Sequence, residues 1–522
     1  MTTAAPETPQ PRQIVVLLRR IALIAGLGLM VGACGSSRLD EALDTTSTTS
    51  TASSVSTDES DTTPPSTPGP GSRGPTPDTS RPPTEVGAAG IGDPYFPDLG
   101  NGGYDVELYD LTIDIAEGSD IIDASANLEL VADVPLRRFN LDLRGLDVTA
   151  VTVDGRAATF DQEAGEVIIT PTGPLDVGGR HTVQVEYHGD PEPQGSRVES
   201  PPSIGWVDGA GGPFIVGEPD GAATWFPVND HPLDKARYRI TITAPSTETV
   251  VAVGVGAAPI DNGDGTTTWR FEARDPMASY LVTLAVGDYR VVTSDGPDGV
   301  ILRHAFPPDL AEPATTDLAS TGPMLEVLSD AFGPYPFEIY GALILDHQLG
   351  FALETQTLPL FGRGFVDGQG TFEWIFAHEL THQWFGDAVS PATWADIWLN
   401  EGFATYGQLL WDELGRGIDP ESTYVANWRV QLPSLGPPLD PGPDSLFDPA
   451  VYERGAATLH ALRRTVGDDA FFATLQTYVE RFSGGTASTD DFITVAEDVS
   501  GTDLTAFFDA WLVQPTAPTL PE

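Results

Sequence analysis

The sequence has little cysteine, few basic residues and no phosphate-binding loop. Cys34 is the one cysteine among 522 residues, so a disulfide within the chain is impossible. Lysine and arginine together number 26 against 76 acidic residues, which leaves a formal net charge of -50. Nucleic acid and anionic membrane surfaces would repel such a chain. No glycine-rich loop of Walker type and no repeat of fixed period is present. The sequence therefore predicts that nucleic acid is not a partner.

The N-terminus has the features of an export signal. Arg19 and Arg20 precede an apolar run that ends at Val31, and Cys34 follows after two small residues. This order resembles a bacterial lipoprotein signal over residues 1–34, cleaved before Cys34, which then carries lipid. The alternative is a membrane anchor over residues 14–31. Two arginines in that span would each add roughly 2.5–3.5 kcal/mol at the bilayer centre, which favours the lipoprotein interpretation. Either way the body lies outside the cytoplasm. The resemblance implies lipid anchoring at the outer face of a bacterial cell membrane.

Residues 35–90 are almost entirely Ser, Thr, Pro, Gly, Asp and Glu. Such a segment buries too little apolar surface to offset the entropy of ordering, so we predict a disordered tether. From Tyr104 to about Val292 the apolar residues mostly repeat with a period of two, with one slip of parity between Leu108 and Leu111. The segment Asn262-Gly263-Asp264-Gly265 is typical of a hairpin turn. These patterns predict an all-β, mostly antiparallel domain over residues 91–296.

After about residue 300 the apolar spacing becomes helical. Residues 488–491 have the composition of a helix start, and Gly501 that of a helix stop. We predict a mostly α-helical domain over residues 297–518, with a short tail at residues 519–522. The helical segments are expected at residues 372–387, 401–414, 452–466, 468–483, 488–499 and 502–513.

Two histidines four residues apart mark the candidate metal site. On a helix, His378 and His382 point the same way, so both imidazoles can reach one ion. Glu379 lies beside them and can face a water on that ion. His-Glu-x-x-His on a helix is the signature of zinc metallopeptidases for this reason. The alternative, two core histidines bonded to the backbone, does not account for the complete pattern.

A catalytic zinc takes a third protein ligand and keeps its fourth position open for water. Glu401 follows His382 by nineteen residues and would open the next helix, where a turn can fold it back onto the first. Spacing alone does not separate a ligand from an ordinary first-turn glutamate favoured by the helix dipole.

The words HELTHQWFGD and WLNEGFATY, which begin at His378 and Trp398, resemble the zinc site of the gluzincin aminopeptidases, the aminopeptidase N (membrane alanyl aminopeptidase) family. The similarity covers roughly residues 90–518. The chain then ends, so it resembles a short form without the family's C-terminal helical domain. The resemblance implies a β saddle or sandwich domain beside a thermolysin-like catalytic domain. It also implies one zinc per chain on His378, His382 and Glu401, with Glu379 as the general base.

The resemblance also implies roles for three residues outside the zinc motif. Val451-Tyr452-Glu453-Arg454-Gly455 is similar to the family's Tyr-Glu-Lys-Gly word, so Tyr452 corresponds to its catalytic tyrosine. Glu354 and Glu218 correspond to the carboxylates that hold the substrate's amino terminus. Phe351, Leu353 and Thr355 stand where the family has Gly, Met and Asn.

We therefore expect a lipid-anchored extracytoplasmic zinc aminopeptidase that acts on peptides with a free amino terminus. One alternative is an endopeptidase, since a cleft without the C-terminal domain would be open and the altered residues 351–355 could weaken the exopeptidase register. The other is a catalytically dead peptidase-like lipoprotein that only binds. Blocked substrates distinguish the first alternative, and a metal assay distinguishes the second.

Overall fold

The computed structural model of the chain describes residues 85–116, 118, 121–198 and 201–521. The predicted signal segment, Cys34 and nearly all of the predicted tether lie outside these residues. Within them, no helix combines the length and the apolar character needed to cross a bilayer. The predicted tether reaches residue 90, but Glu85–Val86 already pairs with a strand of the first domain.

A nine-stranded sheet forms the centre of the first domain, in the order β15-β17-β13-β2-β3-β9-β5-β6, with β16 beside β17. Alternate residues of each strand are buried, as the period of two predicts. The register shifts between Val106 and Leu108, close to the slip of parity in the sequence. β16 and β17 form a hairpin around the predicted turn. The strands are β2 (Tyr104–Ile115), β3 (Ile122–Ala132), β5 (Asp147–Val153), β6 (Arg156–Ala157), β9 (Arg180–Gly189), β13 (Ala236–Pro245), β15 (Val255–Gly256), β16 (Ile260–Asp261) and β17 (Thr266–Met277).

Two smaller sheets complete this domain, in the orders β1-β4-β8-β7 and β10-β11-β12-β18-β14. Most pairs are antiparallel, but β1 with β4 and β2 with β13 are parallel. The strands are β1 (Glu85–Val86), β4 (Leu136–Asp142), β7 (Thr159–Glu163), β8 (Glu166–Thr170), β10 (Gln194–Gly195), β11 (Ser203–Gly209), β12 (Gly212–Val216), β14 (Thr249–Ala252) and β18 (Leu284–Gly287).

The second domain packs helices against a six-stranded sheet in the order β19-β20-β22-β24-β23, with β21 beside β20. Its strands are β19 (Arg290–Asp295), β20 (Ile301–Phe306), β21 (Ile339–Tyr340), β22 (Leu343–Leu345), β23 (Ala352–Leu353) and β24 (Leu360–Gly362). A parallel pair, β25 (Val389–Pro391) and β26 (Gly485–Ala487), lies outside this sheet. The helices are α1 (Ala311–Asp317), α2 (Thr321–Phe332), α3 (Glu373–His382), α4 (Trp398–Leu410), α5 (Ala426–Gln431), α6 (Gly455–Val466), α7 (Asp468–Phe482), α8 (Thr489–Ser500) and α9 (Thr505–Phe508).

The predicted fold class, a β-rich domain followed by a mostly helical catalytic domain, is confirmed. The predicted ends of α8 are also confirmed. Ser488 and Asp491 form a reciprocal capping box, and Gly501 ends the helix with a φ of 66°. Three other boundaries differ. The helix predicted over residues 372–387 ends at His382. The helix predicted to begin at residue 401 begins at Trp398. Of the helix predicted over residues 502–513, only Thr505–Phe508 is α-helical.

Lys235, the chain's only lysine, joins the two domains. It lies just before β13, and its Nζ donates to the carbonyl oxygens of Asp387, Ala388 and Gly485 at 2.6, 3.1 and 3.2 Å. Burial lowers the pKa of Lys235 to about 7, against the opposing charge of Asp387. Three acceptors match the three N–H groups of the ammonium form, so the hydrogen bonds favour the charged state. One hydrophobic cluster runs from Phe96 to Leu520 and spans both domains.

Replacing Lys235 by methionine is expected to lower the free energy of unfolding by about 1.5–3 kcal/mol, because charged hydrogen bonds to carbonyls are lost between the domains. Chemical denaturation at fixed zinc concentration measures this change. Arg239→Met is the control, since the Arg239 side chain is half exposed and its carboxylate contacts are 3.6 and 4.0 Å long. Equal effects of the two substitutions would show that Lys235 is not a link between the domains.

Candidate metal centre and active site

Helix α3 presents the two histidines of the motif on one buried face. His378 and His382 are 8% and 1% exposed, and their ring centroids lie 4.8 Å apart. Their Nε2 atoms lie 3.2 and 3.5 Å from Oε2 of Glu401 on α4. The helical spacing therefore brings the imidazoles to one point, as the sequence predicts, and a second helix supplies the carboxylate.

Close packing of α3 on α4 makes this meeting possible. Gly407 of α4 lies against Thr381 of α3, so that a Cβ on Gly407 would come within 1.9 Å of the Thr381 Oγ1. Any larger residue would push the helices apart, and the short Glu401 side chain would no longer reach both imidazoles. Glu401 lies in the first turn of α4 and is 3% exposed.

The remaining ring nitrogens of both histidines have partners. His378 Nδ1 lies 2.7 Å from the amide group of Gln408, and His382 Nδ1 lies 3.1 Å from the carbonyl oxygen of Phe385. The carbonyl of Phe385 accepts a hydrogen bond from Nδ1–H, which leaves Nε2 of His382 as a bare lone pair. For His378 the atom at 2.7 Å is the amide nitrogen of Gln408, and a 180° flip of that amide would bring its oxygen to Nδ1 and free Nε2 in the same way. Both imidazoles are thus oriented with Nε2 available for a metal.

Helix α3 ends at His382 because the following turn forms the contact between the carbonyl oxygen of Phe385 and His382 Nδ1. Gly386 has a φ of 124°, and a Cβ there would lie 3.3 Å from His382 Nδ1. The turn returns the carbonyl of Phe385 toward the helix end. A helix continuing to residue 387, as the periodicity predicts, would remove this acceptor.

His378, His382 and Glu401 fit a zinc ion. Their two nitrogens and one oxygen lie within 4.8 Å of one another, and all three side chains are buried. Burial raises the pKa of Glu401, but His382 and His378 outweigh that effect and lower it to about 2. Two imidazoles and one ionised carboxylate form a donor set of the kind found at catalytic zinc sites with three protein ligands.

Glu379 lies beside the candidate metal position and is 3% exposed. Burial raises the pKa of Glu379 well above its usual range, and Glu354 and Glu401 add to this rise while His382 opposes it. A cation among these carboxylates would favour their ionised forms. The position and basicity of Glu379 suit a group that accepts and returns a proton.

Tyr452 approaches the centre from a wide, π-type turn over Ala450–Arg454 that precedes α6. Its ring lies nearly parallel to the His378 ring, with centroids 6.1 Å apart. The turn packs close to α4, because Gly402 and Gly455 meet with almost no room for a Cβ on either. The phenol is therefore held beside the same point that Glu401 and His378 approach.

Arg454 fixes the turn that carries Tyr452. Its guanidinium is fully buried and donates to five carbonyl oxygens near the end of the chain and before the turn. Glu453 accepts a hydrogen bond from Trp428 at 2.7 Å. These contacts hold the backbone on both sides of Tyr452, so its hydroxyl has a defined position.

Glu354 and Glu218 face the same cavity from two different elements. Glu354 follows β23, Glu218 follows β12, and both are 3% exposed. Oε1 of each carboxylate is buried without a hydrogen-bond partner in the described part of the chain. Burial raises the pKa of both groups, and their proximity to each other and to Glu401 adds to the rise for Glu218. His382 is the positive neighbour that opposes this rise, and no arginine or lysine among the described residues pairs with either carboxylate.

Gln383 connects α3 to the segment that carries Glu354. Its side-chain amide donates to the backbone oxygen of Glu354 at 3.1 Å and accepts from the backbone N–H of Thr357 at 2.7 Å. Thr355, in the altered segment, turns its hydroxyl to the carbonyl oxygen of Leu358 at 2.6 Å. Phe351 lines the cavity. The change to Thr355 is thus taken up by a local turn, whereas Phe351 shapes the site.

The predicted site residues all line one cavity of about 90 Å³. It contains the three candidate ligands, Glu379, Tyr452, Glu354 and Glu218, and Phe351 and Phe447 form part of its wall. Sequence reasoning did not identify Gln408, Gln383 and Arg454 as supporting residues. The available signal was position alone: Gln383 and Gln408 lie within or next to the two words that contain the zinc motif, and Arg454 lies in the word that contains Tyr452. The site as a whole is that of a mononuclear metallopeptidase.

Comparison with known proteins agrees with this class. The Peptidase M1 N-terminal domain matches residues 106–281, and the Peptidase family M1 domain matches residues 317–431 and 438–511. The crystal structure of the M1 zinc metallopeptidase from Deinococcus radiodurans is 36% identical with a TM-score of 0.77. That alignment covers 83% of this chain and 99% of the other. The chain therefore belongs to peptidase family M1 and is a zinc metallopeptidase.

Curated relatives include the aminopeptidase N of Streptomyces lividans, which is 31% identical over 53% of this chain and 35% of its own length. Human aminopeptidase B is 28% identical over 57% of this chain and 48% of its own length. The alignments thus span less than half of these two longer relatives.

Protein purified without added metal is expected to contain about one zinc per chain. The double variant His378→Ala with Glu401→Ala removes two of three donors and is expected to lose it, as measured by elemental analysis. Glu186→Ala with His188→Ala is the matched control, since both are exposed on β9. Full zinc content in the first double variant would refute the assignment of the ligands.

Proposed function

We propose that this protein is an aminopeptidase that removes the N-terminal residue from peptides. The observation that carries the proposal is the pair of buried carboxylates of Glu354 and Glu218 beside the metal centre, each with one oxygen that has no hydrogen-bond partner among the described residues. Buried carboxylates are stable only when paired with a cation or with hydrogen-bond donors. A peptide's terminal ammonium is such a cation, and binding it there would place the first peptide bond near Glu379 and Tyr452.

His378, His382 and Glu401 would hold the zinc, which supplies a Lewis acid that acidifies water and polarises the substrate carbonyl. Gln408 and Phe385 orient the two imidazoles through their other nitrogens. The mutual geometry of the three ligands is thereby preset before substrate binds.

Glu379 would act as the proton carrier. It accepts the proton of the attacking water and later delivers it to the departing amine, so that the two steps balance. Its burial keeps bulk water from competing for the proton, and the surrounding carboxylates raise its basicity.

Tyr452 would stabilise the oxyanion. Burial, and then Glu401 and Glu218, raise the pKa of Tyr452 well above its usual value, so the phenol keeps its proton. A protonated phenol can donate a hydrogen bond to an oxygen that becomes negative as the carbonyl becomes tetrahedral.

The relatives support a peptide substrate with a free amino terminus. A mutant of the M1 zinc metallopeptidase from Deinococcus radiodurans has been crystallised with a Tyr-Ser-Ala substrate, and a mutant two-domain M1 zinc metallopeptidase with L-arginine and with L-tryptophan. Two curated relatives are named aminopeptidases. An endopeptidase remains the outcome to test, since Phe351 alters the wall near Glu354.

Tyr452→Phe is expected to lower kcat by about 10²–10³ with little change in substrate binding, because one preorganised donor is lost only in the transition state. Steady-state kinetics measures this, with zinc content and a thermal melt confirming an intact protein. Tyr424→Phe, on a turn away from the cavity, is the control. Near-normal turnover in Tyr452→Phe would show that Tyr452 is structural. Glu379→Gln should lose more activity, since it removes the proton carrier.

N-acetylated substrates are expected to lose about 30-fold or more in kcat/KM relative to free amines, because the buried carboxylates are left without their cation. The rate with free amines should also fall at high pH as the α-amino group, with a reference pKa of about 8, loses its proton. N-methylated substrates, which keep the charge, are the control. The Glu354→Gln substitution should lower kcat/KM only for substrates with a charged amino terminus. Equal cleavage of acetylated internal bonds would support an endopeptidase.

We also propose that the protein is held at the outer face of the membrane by lipid on Cys34. The support is the arrangement of arginines, apolar run and small residues before Cys34. The residues that follow, up to about residue 84, would act as a tether with few apolar side chains.

In a bacterial host, Cys34→Ala is expected to shift the protein from the membrane fraction to the soluble fraction and to abolish incorporation of labelled fatty acid. Fractionation and labelling measure both effects, with Ser36→Ala as the control. Retention of Cys34→Ala in the membrane would favour an anchor formed by the apolar segment itself.

A further inference from the structure

A second cavity, of about 640 Å³, lies between the first domain and the sheet of the second. Strands β14, β15 and β17 form one side, and β19, β20 and β21 form the other. It shares none of its lining residues with the cavity around the metal centre. Its volume is within the range of small-molecule binding sites.

The lining is mostly apolar and partly aromatic. Trp269, Phe271 and Tyr289 line it and are at most 8% exposed. Val291 and Ile301, also in the lining, are 42% and 37% exposed, so they add accessible apolar surface to the cavity. The cavity therefore offers an apolar surface that the described residues leave uncovered.

Arg303 of β20 lines the same cavity and lacks an anion. The residue is 7% exposed, and its guanidinium lies over the ring of Phe271, 5.6 Å from the centroid. One nitrogen, Nη2, donates to the carbonyl oxygen of Ala252 at 2.6 Å. Nε and Nη1 are buried with no hydrogen-bond partner among the described residues.

The charge of Arg303 is also uncompensated. Burial is the sole cause that lowers the pKa of Arg303, to about 10, and no carboxylate contributes to its value. Glu248 is the acidic residue of the lining, and it does not contribute to the pKa of Arg303 either. A buried guanidinium without an anion is less stable than a paired one. An anionic ligand would relieve this deficit.

We propose that this cavity binds an apolar molecule with a single carboxylate, whose carboxylate pairs with Arg303 and whose body lies against Trp269, Tyr289 and Val291. A guanidinium presents a planar fork that matches a carboxylate, and one arginine among apolar walls suits one negative charge rather than a phosphate cluster. The free carboxyl end of an apolar peptide and a fatty acid share this chemistry.

The test measures binding of decanoate to the zinc-loaded protein by calorimetry, with decanol as the neutral counterpart. We expect decanoate to bind and decanol to bind about tenfold or more weakly, since a charged hydrogen bond is lost. Arg303→Gln should weaken decanoate to a similar degree. Two outcomes would overturn the proposal and leave Arg303 as a purely structural group. One is that neither decanoate nor the peptide binds, and the other is that decanol binds with the same affinity as decanoate.

A second pair of variants keeps the test valid if Arg303→Gln fails to fold. Thr293 is exposed on β19 and lines the cavity, so Thr293→Trp should fill it and abolish binding. Val292, the preceding residue on the same strand, does not line the cavity, so the Val292→Trp variant should bind decanoate with the affinity of the unmodified protein. Unchanged binding in Thr293→Trp would place the ligand elsewhere, including at the metal centre, and refute the proposal.

The two sources of ligand are distinguished by an apolar tripeptide, N-acetylated so that its amino end is blocked, with either a free or an amidated carboxyl end. Binding of the free acid but not the amide, lost in Thr293→Trp, would identify a peptide terminus as the ligand. Binding of decanoate alone would identify a fatty acid. Each result supports the site and assigns its occupant.

Discussion

Burial of negative charge around the metal centre is the constraint on which the activity depends. Five carboxyl groups in this region are at most 3% exposed: those of Glu218, Glu354, Glu379, Asp387 and Glu401. Glu218, Glu354 and Asp387 have oxygens with no hydrogen-bond partner among the described residues. Removing a carboxylate from water costs several kcal/mol unless a cation or donors replace the solvent. Two histidines supply only part of the compensation. Protonation relieves part of the deficit, because burial raises the pKa of Glu218, Glu354 and Glu379. Zinc and, under the proposed function, the substrate ammonium would supply positive charge there, so the same deficit would contribute affinity for both.

Close contact between helices assembles these charges. Gly407 against Thr381 sets the distance between α3 and α4, and Gly402 against Gly455 sets that between α4 and α6. Interior glycine weakens a helix by about 1 kcal/mol, so its presence at two positions inside α4, Gly402 and Gly407, is a cost that packing must offset. The result is that Glu401 meets both imidazoles and Tyr452 lies beside His378. Glycine at these points serves close approach rather than an unusual backbone angle.

The sequence predicted those parts of the site that depend on local geometry. His378, Glu379 and His382 share one helix, and their mutual positions follow from its period. Glu401 is nearby in the chain, but its role could not be separated from that of an ordinary first-turn acid by spacing alone. Glu354, Glu218 and Tyr452 come from distant segments, and only the resemblance to a family connected them with the zinc motif. No periodicity carries information about contacts of that range.

Supporting residues were not predicted because their signal is the same as that of solvated ones. Gln408 on a helix and Gln383 after a helix would ordinarily be polar surface residues, yet one orients His378 and the other holds the segment of Glu354. The end of α3 was missed for a related reason. The apolar spacing continues past His382, while the chain departs from the helix so that the carbonyl of Phe385 can reach the imidazole. Function overrides local preference at that turn.

Several cations in the interior are satisfied without the carboxylates that line the metal centre, and the buried Arg463 pairs with Glu413 and Asp468 elsewhere. Lys235, Arg303 and Arg454 all donate to backbone carbonyl oxygens. A carbonyl satisfies an N–H group without neutralising the charge, so these cations hold segments together and withdraw no carboxylate from the metal centre. Arg454 uses its donors fully, on five carbonyl oxygens, whereas Arg303 uses one. That difference separates a structural clamp from a group with unused binding capacity. In a chain with a net charge of -50, an unpaired buried arginine among apolar walls is the reverse of the imbalance at the metal centre, and the same electrostatic reasoning assigns a cationic ligand to one cavity and an anionic ligand to the other.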